Sequence, residues 1–554
     1  MAGRGARPPG RLPVPRVVAH TPPEGGPGVI YRSPYPDVEV PALPLHEFVL
    51  GPAGERGERP ALVDAEGSVR ISYRRLAELV ERTAAGLHRL GFRRGEVAAI
   101  CSPNRPEFAI AFFAVARLGG ASTTMNPALT EAEMGAQLRD SGAVVAFTVP
   151  ELADRVRAAA GGALRHVLLF GHDSFESLTR AEGTPPAVSI DPQDDVVALP
   201  YSSGTTGLPK GVMLTHRNLV ANLLQMGPVE RTSERDTTLA ALPFYHIYGL
   251  SVILCLGLYR GATLVVLPRF ELEVALRAVE RWRITRLPLV PPLILRLLRD
   301  PRVAEHDLSS VRVVVSGAAP LAPELAAELA DRFGVLVKQG YGMTELSPGS
   351  HMHPEEPGMA KPGTVGVLHP STECRLVDPA TGRDAAPGAP GEIWVRGPQV
   401  MKGYLNRPEA TAEVLTPDGW LRTGDIGVVG EDGQLSVVDR LKELIKYMGF
   451  QVPPAEVEAL LLTHPAVADA AVIPRPDPEA GEVPVAYVVR RAGAELTAEE
   501  LIQWMAERIV AYKRVRAVEF VDEIPRSPSG KILRRVLVER ERAATGRGLE
   551  AGAG

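Results

Sequence analysis

The stretch Tyr201-Ser-Ser-Gly-Thr-Thr-Gly-Leu-Pro-Lys-Gly-Val212 decides the reading of this chain. It follows the apolar run Val196–Pro200, so the pattern predicts a strand that opens into a loop. Gly204 and Gly207 let the backbone approach a ligand closely. Ser202, Ser203, Thr205 and Thr206 place hydroxyls beside bare backbone N–H groups, and Lys210 adds a positive charge. The result is a phosphate cradle. It is not a Walker A loop, which needs Gly-Lys-Ser/Thr at a fixed spacing. The bland alternative is a flexible surface loop, but an unbroken Ser/Thr/Gly run closed by Pro-Lys-Gly is too specific for that.

Outward from this loop, short β-like runs alternate with helical stretches. Val97–Cys101, Ala143–Val149, His166–Phe170, Ala262–Leu267 and Val311–Ser316 read as strands, and Ile71–Leu90 and Glu107–Leu118 as helices. That alternation predicts an α/β architecture with mostly parallel sheets. From about 363 to 440 short β runs (Glu373–Val377, Glu392–Arg396, Leu435–Val438) are separated by Gly/Pro/Asp turns, as in a small β-rich subdomain. A boundary near Asp439 precedes a compact α+β unit, with helices over Pro454–Leu462 and Thr497–Val510 and strands over Ala468–Ile473 and Pro484–Arg490. The expected division is a disordered 1–28, a large domain 29–438, a hinge 439–442, a mobile domain 443–537 and a frayed tail 538–554.

Composition narrows the function classes. The 554 residues carry a net charge of −5, and 45% are hydrophobic, as expected of a globular protein and not of a nucleic-acid binder. Three distant cysteines, Cys101, Cys255 and Cys374, fit no metal-ligand spacing and suit a reducing cytoplasm. The longest apolar run, Gly249–Leu258, is too short to span a membrane and is closed by Tyr259 and Arg260. The Pro/Gly/Arg-rich N-terminus lacks the apolar core of a secretory signal and the serines of a transit peptide.

Further chemistry lies downstream. In Gln339-Gly-Tyr-Gly-Met-Thr-Glu345 the glycines permit a tight turn, Tyr341 can stack on a purine, and Glu345 offers a hard oxygen ligand. Thr423-Gly-Asp425 presents an acceptor-only carboxylate suited to paired hydroxyls, although Gly-Asp also favours plain turns. His246, in Pro243-Phe-Tyr-His-Ile-Tyr-Gly249, is either a satisfied core histidine or a functional one. Lys531 sits in a Pro/Ser/Gly loop with Arg526, Arg534 and Arg535 near it.

These motifs, in this order, resemble the adenylate-forming superfamily of acyl-CoA synthetases, luciferases and peptide-synthetase adenylation domains. The likeness extends to Asp439-Arg-Leu-Lys-Glu-Leu-Ile-Lys446 and Ser529-Gly-Lys531 and covers about residues 30–537. It implies the adenylate-forming fold: a large N-terminal domain of two α/β sheets plus a β-rich subdomain, a hinge and a small α+β C-terminal domain. It implies ATP, Mg²⁺ and coenzyme A as the small molecules used. Ser202–Gly207 and Lys210 would hold phosphates. Ala318, Ala319, Gln339, Gly340 and Tyr341 would flank adenine, and Thr344 would bond the α-phosphate. Glu345 would hold Mg²⁺, and Asp425 and Arg440 the ribose. Lys531 would act in adenylation, Lys442 would be the pivot, and Lys446, Gly449 and Gln451 would face AMP in the second half-reaction.

Within the superfamily the chain most resembles 4-coumarate:CoA ligases, particularly bacterial cinnamate-type ones, on Tyr201–Lys210, Phe244–Gly249, Gly340–Pro348, Gly391–Gly397 and Val438–Val452. The implied reaction activates a cinnamic acid as an acyl-AMP and transfers it to CoA. His246 would gate an acyl pocket lined by Tyr248, Val252, Gly317, Ala318, Gly340, Gly342 and Met343, whose small residues leave room for a flat ring. A fatty-acyl-CoA ligase, a stand-alone ligase loading a carrier protein and a non-catalytic adenylate binder remain open. So does the choice between monomer and homodimer. One departure stands out: Met448, in Lys446-Tyr-Met-Gly-Phe450, replaces a lysine that relatives use on CoA. Either the loss is tolerated or CoA binding is weakened; Arg260 is a candidate substitute.

Overall fold

The computed structural model describes residues 29–202, 209–448, 450–477, 479–527 and 530–541. The segment 1–28, expected to be disordered, and 542–554 of the tail lie outside them. The described strands form four sheets.

The first sheet runs in the order 403–404, 210–215, 196–198, 121–125, 97–101, 143–148, 166–169. Its central pairings are parallel. Ala121–Met125 is buried at every position, the mark of a parallel strand covered on both faces. Its cover includes the helix Pro106–Arg117, apolar nearly all round, with Phe108, Phe112 and Phe113 fully buried. The second sheet has nine strands, with 336–342, 313–316, 286–289, 237–240, 263–266 and 60–64 side by side and parallel.

The sequence places one helix over Ile71–Leu90; in the structure Arg70–Ser72 is an edge strand, and the helix is Tyr73–Arg89. The Ser72 side chain caps it by accepting from the Arg75 amide at 3.2 Å. The apolar run at 249–258 folds as the wide π-helix Tyr248–Cys255 and then Leu256–Tyr259. A Cβ at Gly249 would meet the Pro243 carbonyl oxygen at 2.0 Å, so only glycine allows that helix to start there.

The third sheet is antiparallel: 31–32, 373–377, 391–396, 421–429 and 435–440. The two-residue strand Tyr31–Arg32 crosses the molecule to pair with Glu373–Cys374. The fourth sheet begins at Ile445 and joins 450–452, 445–447, 481–490 and 467–477, with 517–520 parallel to 481–490. Ile445, Val457, Val472, Val488, Leu501 and Met505 give it a core of its own. The chain passes from the third sheet to the fourth between Arg440 and Ile445.

Two C-terminal expectations need correction. The helix expected over Thr497–Val510 is Ala498–Ala506, started by a Thr497/Glu500 capping box. It stops early because Arg514 turns back and donates to the Ala506 carbonyl at 2.7 Å, satisfying an orphan acceptor. The tail is not frayed from 538: residues 534–541 are helical. Leu537 is buried, and the Glu541 carboxylate accepts from Tyr487 and Arg475.

A buried ion network fixes the strand Leu336–Gly342. The Lys338 ammonium has no solvent exposure and donates to the Val229 carbonyl at 2.6 Å, to Glu230 at 2.9 Å and to Glu355 at 3.2 Å. Arg286 donates to both carboxylates. Burial opposes ionisation of Glu355, but Lys338 and Arg286 outweigh it and hold its carboxyl at about 2. Substituting Lys338→Met leaves two buried carboxylates sharing one guanidinium. The expected cost is about 3–5 kcal/mol in denaturant unfolding.

Candidate active site

Three loops from different sheets converge at the carboxyl end of Leu336–Gly342. The first is the glycine-rich loop. Tyr201–Ser202 pairs antiparallel with Lys210–Gly211 at the base of the loop. The Tyr201 hydroxyl anchors that base by donating to Asp140 at 2.8 Å. The remaining cradle residues, Ser203, Gly204, Thr205, Thr206 and Gly207, lie outside the described residues.

Glu345 sits on the turn Thr344–Leu346 that follows the strand. Its buried carboxylate accepts from the Ser202 hydroxyl at 2.9 Å and from the Tyr404 hydroxyl at 2.8 Å, both on Oε1. The Lys210 ammonium lies 5.0 Å above the Tyr404 ring. Ser202, Lys210, Tyr404 and Glu345 therefore form one cluster at the mouth of the cradle. Among the described residues no group of three His, Cys, Asp or Glu could hold a metal unaided. A single carboxylate beside a phosphate cradle still fits Mg²⁺, which keeps waters and binds through one or two carboxylates plus substrate phosphate.

The two residues expected to hold a ribose form a cross-strand pair. Asp425 and Arg440 face each other in the third sheet, and Arg440 Nε lies 3.3 Å from Asp425 Oδ1. The Tyr341 hydroxyl donates to Asp425 Oδ2 at 2.7 Å. Burial raises the Asp425 carboxyl, and Arg440 and Tyr341 oppose that rise. Gln339 Oε1 accepts from the Leu321 amide at 3.0 Å and so orders the turn that carries Ala318 and Ala319. Ala318 adopts φ +67°, a left-handed conformation that costs a non-glycine residue.

Lys531 enters from the fourth sheet. Its loop is braced by Arg526, which pairs with Asp469 at 2.7 Å and donates to the Gly530 carbonyl at 2.9 Å. Gly530, at φ +82°, packs on Val290 and Pro292 of the large domain, where a Cβ would meet them at 3.2–3.4 Å. The ammonium is held down to about 8, first by burial and then by Arg440, while Glu443 and Asp425 act the other way. His246 is pushed to about 4 by burial and by Lys531. Lys531 is thus coupled electrostatically to the Asp425–Arg440 pair and to His246.

The residues expected to line an acyl pocket pack closely against backbone, ring and core. The His246 Nδ1 accepts from the Tyr248 amide at 3.2 Å. The Tyr248 hydroxyl donates to the Val315 carbonyl at 3.3 Å, and its ring lies where a Cβ on Gly317 would meet it at 2.9 Å. A Cβ on Gly342 would meet the Pro348 carbonyl oxygen at 2.0 Å. Val252 and Met343 pack, half-buried, against the main core.

Comparison with known proteins places this geometry. The family model described as AMP-binding enzyme matches residues 52–405, and that of the AMP-binding enzyme C-terminal domain matches 456–531. The chain belongs to the AMP-binding enzyme family. Among curated relatives, 4-coumarate--CoA ligase 5 of Oryza sativa subsp. japonica is 45% identical, over 92% of this chain and 96% of its own length. 4-Coumarate--CoA ligase 2 of Nicotiana tabacum is 44% identical over the same shares. Both are plant enzymes, where the sequence reading pointed to the bacterial type. Among solved structures, the anthranilate CoA ligase AuaEII in complex with anthranoyl-AMP has a TM-score of 0.85 at 27% identity, covering 92% of this chain and 99% of that one. ATP-bound MatB from Rhodopseudomonas palustris has a TM-score of 0.83 at 31% identity, covering 90% and 99%.

In this AMP-binding enzyme the second group of sequence-predicted residues is not at the site. Lys442 and Lys446 are exposed. Lys446 pairs with Gln451 across a hairpin on the outer side of the small domain. Met448, at φ +47°, is 59% exposed, and Phe450 stacks on Tyr512 at 4.5 Å. Gly449 and the Gln451 side chain lie outside the description. Arg260 is engaged elsewhere, donating to the Thr232 carbonyl at 2.7 Å.

Sequence reasoning missed Tyr404 and gave no role to Glu443, inside the Asp439–Lys446 stretch, or to Arg534, a neighbour of Lys531. Only a lone glycine before Tyr404 marks it in the sequence, and no pattern ties it to Glu345. With the Lys531 ammonium held down to about 8 by burial, a role in adenylation predicts that kcat/KM falls as pH rises through that value. Lys531→Arg, which stays charged, removes this alkaline limb at a lower rate. Pyrophosphate release measured against pH checks both.

Proposed function

We propose that this AMP-binding enzyme, an acyl-CoA ligase, activates 4-coumarate or a related cinnamic acid. The acid first becomes an acyl-adenylate, and CoA then converts that to the thioester. The observation that supports the first half is the seating of the Gly530–Lys531 loop on Val290 and Pro292 of the large domain, where Lys531 couples electrostatically to Arg440, Asp425 and His246.

The carboxylate of the acid attacks the α-phosphorus of ATP, the bond to the β-phosphate oxygen breaks, and pyrophosphate leaves. Two anions must meet in a dry site, so the barrier is largely electrostatic. Lys531 offsets that charge from the acyl side and Lys210 from the phosphate side, while Thr344 holds the α-phosphate. Glu345 would hold Mg²⁺ on the phosphates, where the ion supplies further charge neutralisation. Asp425 and Arg440 fix the ribose, and Tyr341 with Ala318 and Ala319 flanks the adenine.

The second half uses the outward face. The small domain turns about Lys442, withdraws Lys531 and brings in Lys446, Gly449 and Gln451. The CoA sulfur then attacks the acyl carbon, and AMP leaves. What supports a rotation is that Lys531 faces inward while Lys446 and Met448 face solvent on the same domain. The close approach of Tyr248 to Gly317 supports a flat acid. Three free, buried thiols suit a cytoplasmic setting.

The test is CoA-dependent AMP release with cinnamate, 4-coumarate, caffeate, benzoate, octanoate and palmitate. The highest kcat/KM is expected for the hydroxycinnamates; a preference for octanoate or palmitate replaces the substrate class. Met448→Lys restores a cation that can pair with a CoA phosphate and is expected to lower the CoA KM up to about fivefold, the worth of one exposed ion pair. An unchanged KM means CoA does not use that position.

A further inference from the structure

The turn that joins the two domains carries a charge, inside the Asp439–Lys446 stretch, that has no role in the reading so far. Glu443 follows the pivot residue Lys442, and its amide donates to the Arg440 carbonyl at 2.9 Å. Its carboxylate reaches in two directions. Oε1 lies 4.0 Å from the guanidinium of Arg440, the ribose-side arginine of the third sheet. Oε2 lies 3.3 Å from Nε of Arg534, three residues beyond Lys531. Arg534 is itself fixed by Glu458, at 2.8 Å, on the helix Pro454–Leu462 of the small domain. Glu443 therefore links the ribose site, across the pivot, to the segment that carries Lys531.

We propose that Glu443 is a positioning residue for adenylation: its carboxylate ties Arg440 to Arg534 while Lys531 is in the site, and releases one of them when the small domain turns. This rests on the function proposed above. A rotation about Lys442 changes the relation of Arg440 to Arg534, so one carboxylate cannot keep both through the turn. The link favours the arrangement that makes the adenylate and plays no part in the one that transfers it. The charged groups that act on the Lys531 ammonium are Arg440, Glu443, Asp425 and Arg534, and the neutral His246 of the large domain feels it in turn. Glu443 is one of the two carboxylates that keep that ammonium protonated.

The experiment separates the half-reactions in wild type and Glu443→Gln: pyrophosphate release from ATP and acid, and CoA-dependent consumption of a supplied acyl-adenylate. Adenylation is expected to fall about three- to tenfold while transfer stays within about twofold, the scale of one partly exposed ion pair. The alkaline limb of adenylation should also move to lower pH, and Glu443→Asp should recover part of the loss. Parallel loss of both half-reactions with an unmoved pH limb and a lower Tm would make Glu443 merely structural and overturn the proposal. So would two unchanged half-reactions. Wild type that releases no pyrophosphate with any acid brings down the proposed function, and this inference with it.

Discussion

Asp425 is the constraint around which the site is assembled. A carboxylate buried this deeply needs compensation, because taking its charge out of water costs several kcal/mol. Its contact partners are Tyr341 from the second sheet and Arg440 from the neighbouring strand, and the Lys531 charge of the small domain acts on it electrostatically. None of these contacts is local in sequence. The same carboxylate, proposed to hold the ribose, also attracts the Lys531 charge of the small domain. Geometry and electrostatics are therefore one problem here, and a change in either is felt in both.

The small domain carries two chemical surfaces on one five-stranded sheet. The Lys531 loop is stiffened by the Arg526–Asp469 pair and seated on Val290 and Pro292. The Lys446–Phe450 hairpin lies outside, with Met448 and Phe450 in solvent. Single exposed apolar side chains are ordinary, but these two sit on the face proposed to turn inward. Their proposed partner is the enzyme's own site after rotation. The connecting turn between Arg440 and Ile445 is short, so the charges on it feel both domains.

Much of this was legible in the sequence. The Gly/Ser/Thr loop, Gln339–Glu345, Thr423–Asp425 and Ser529–Lys531 concentrate unusual residue types within a few positions, and the structure gathers their described members. The strands Val97–Cys101 and Glu373–Val377 and the helix Pro454–Leu462 stand where the apolar pattern puts them. What was not legible depends on distant partners. Tyr404 meets Glu345 across 59 residues with no motif to announce it. Tyr31–Arg32 is too short for any periodicity, and its pairing with Glu373–Cys374 is set by the third sheet. The helix ending at Ala506 is stopped by Arg514, a tertiary hydrogen bond that propensity does not contain.

The measurement that bears most directly on a two-faced domain is a pair of rates for Lys531→Ala. One is pyrophosphate release from ATP and 4-coumarate; the other is CoA-dependent turnover of supplied coumaroyl-adenylate. The expected result is loss of the first by at least about a hundredfold, the scale of one preorganised charge on a developing anion, with the second retained. Equal loss of both rates, or loss of the second alone, would contradict the assignment of Lys531 to adenylation and with it the division of labour between the two faces.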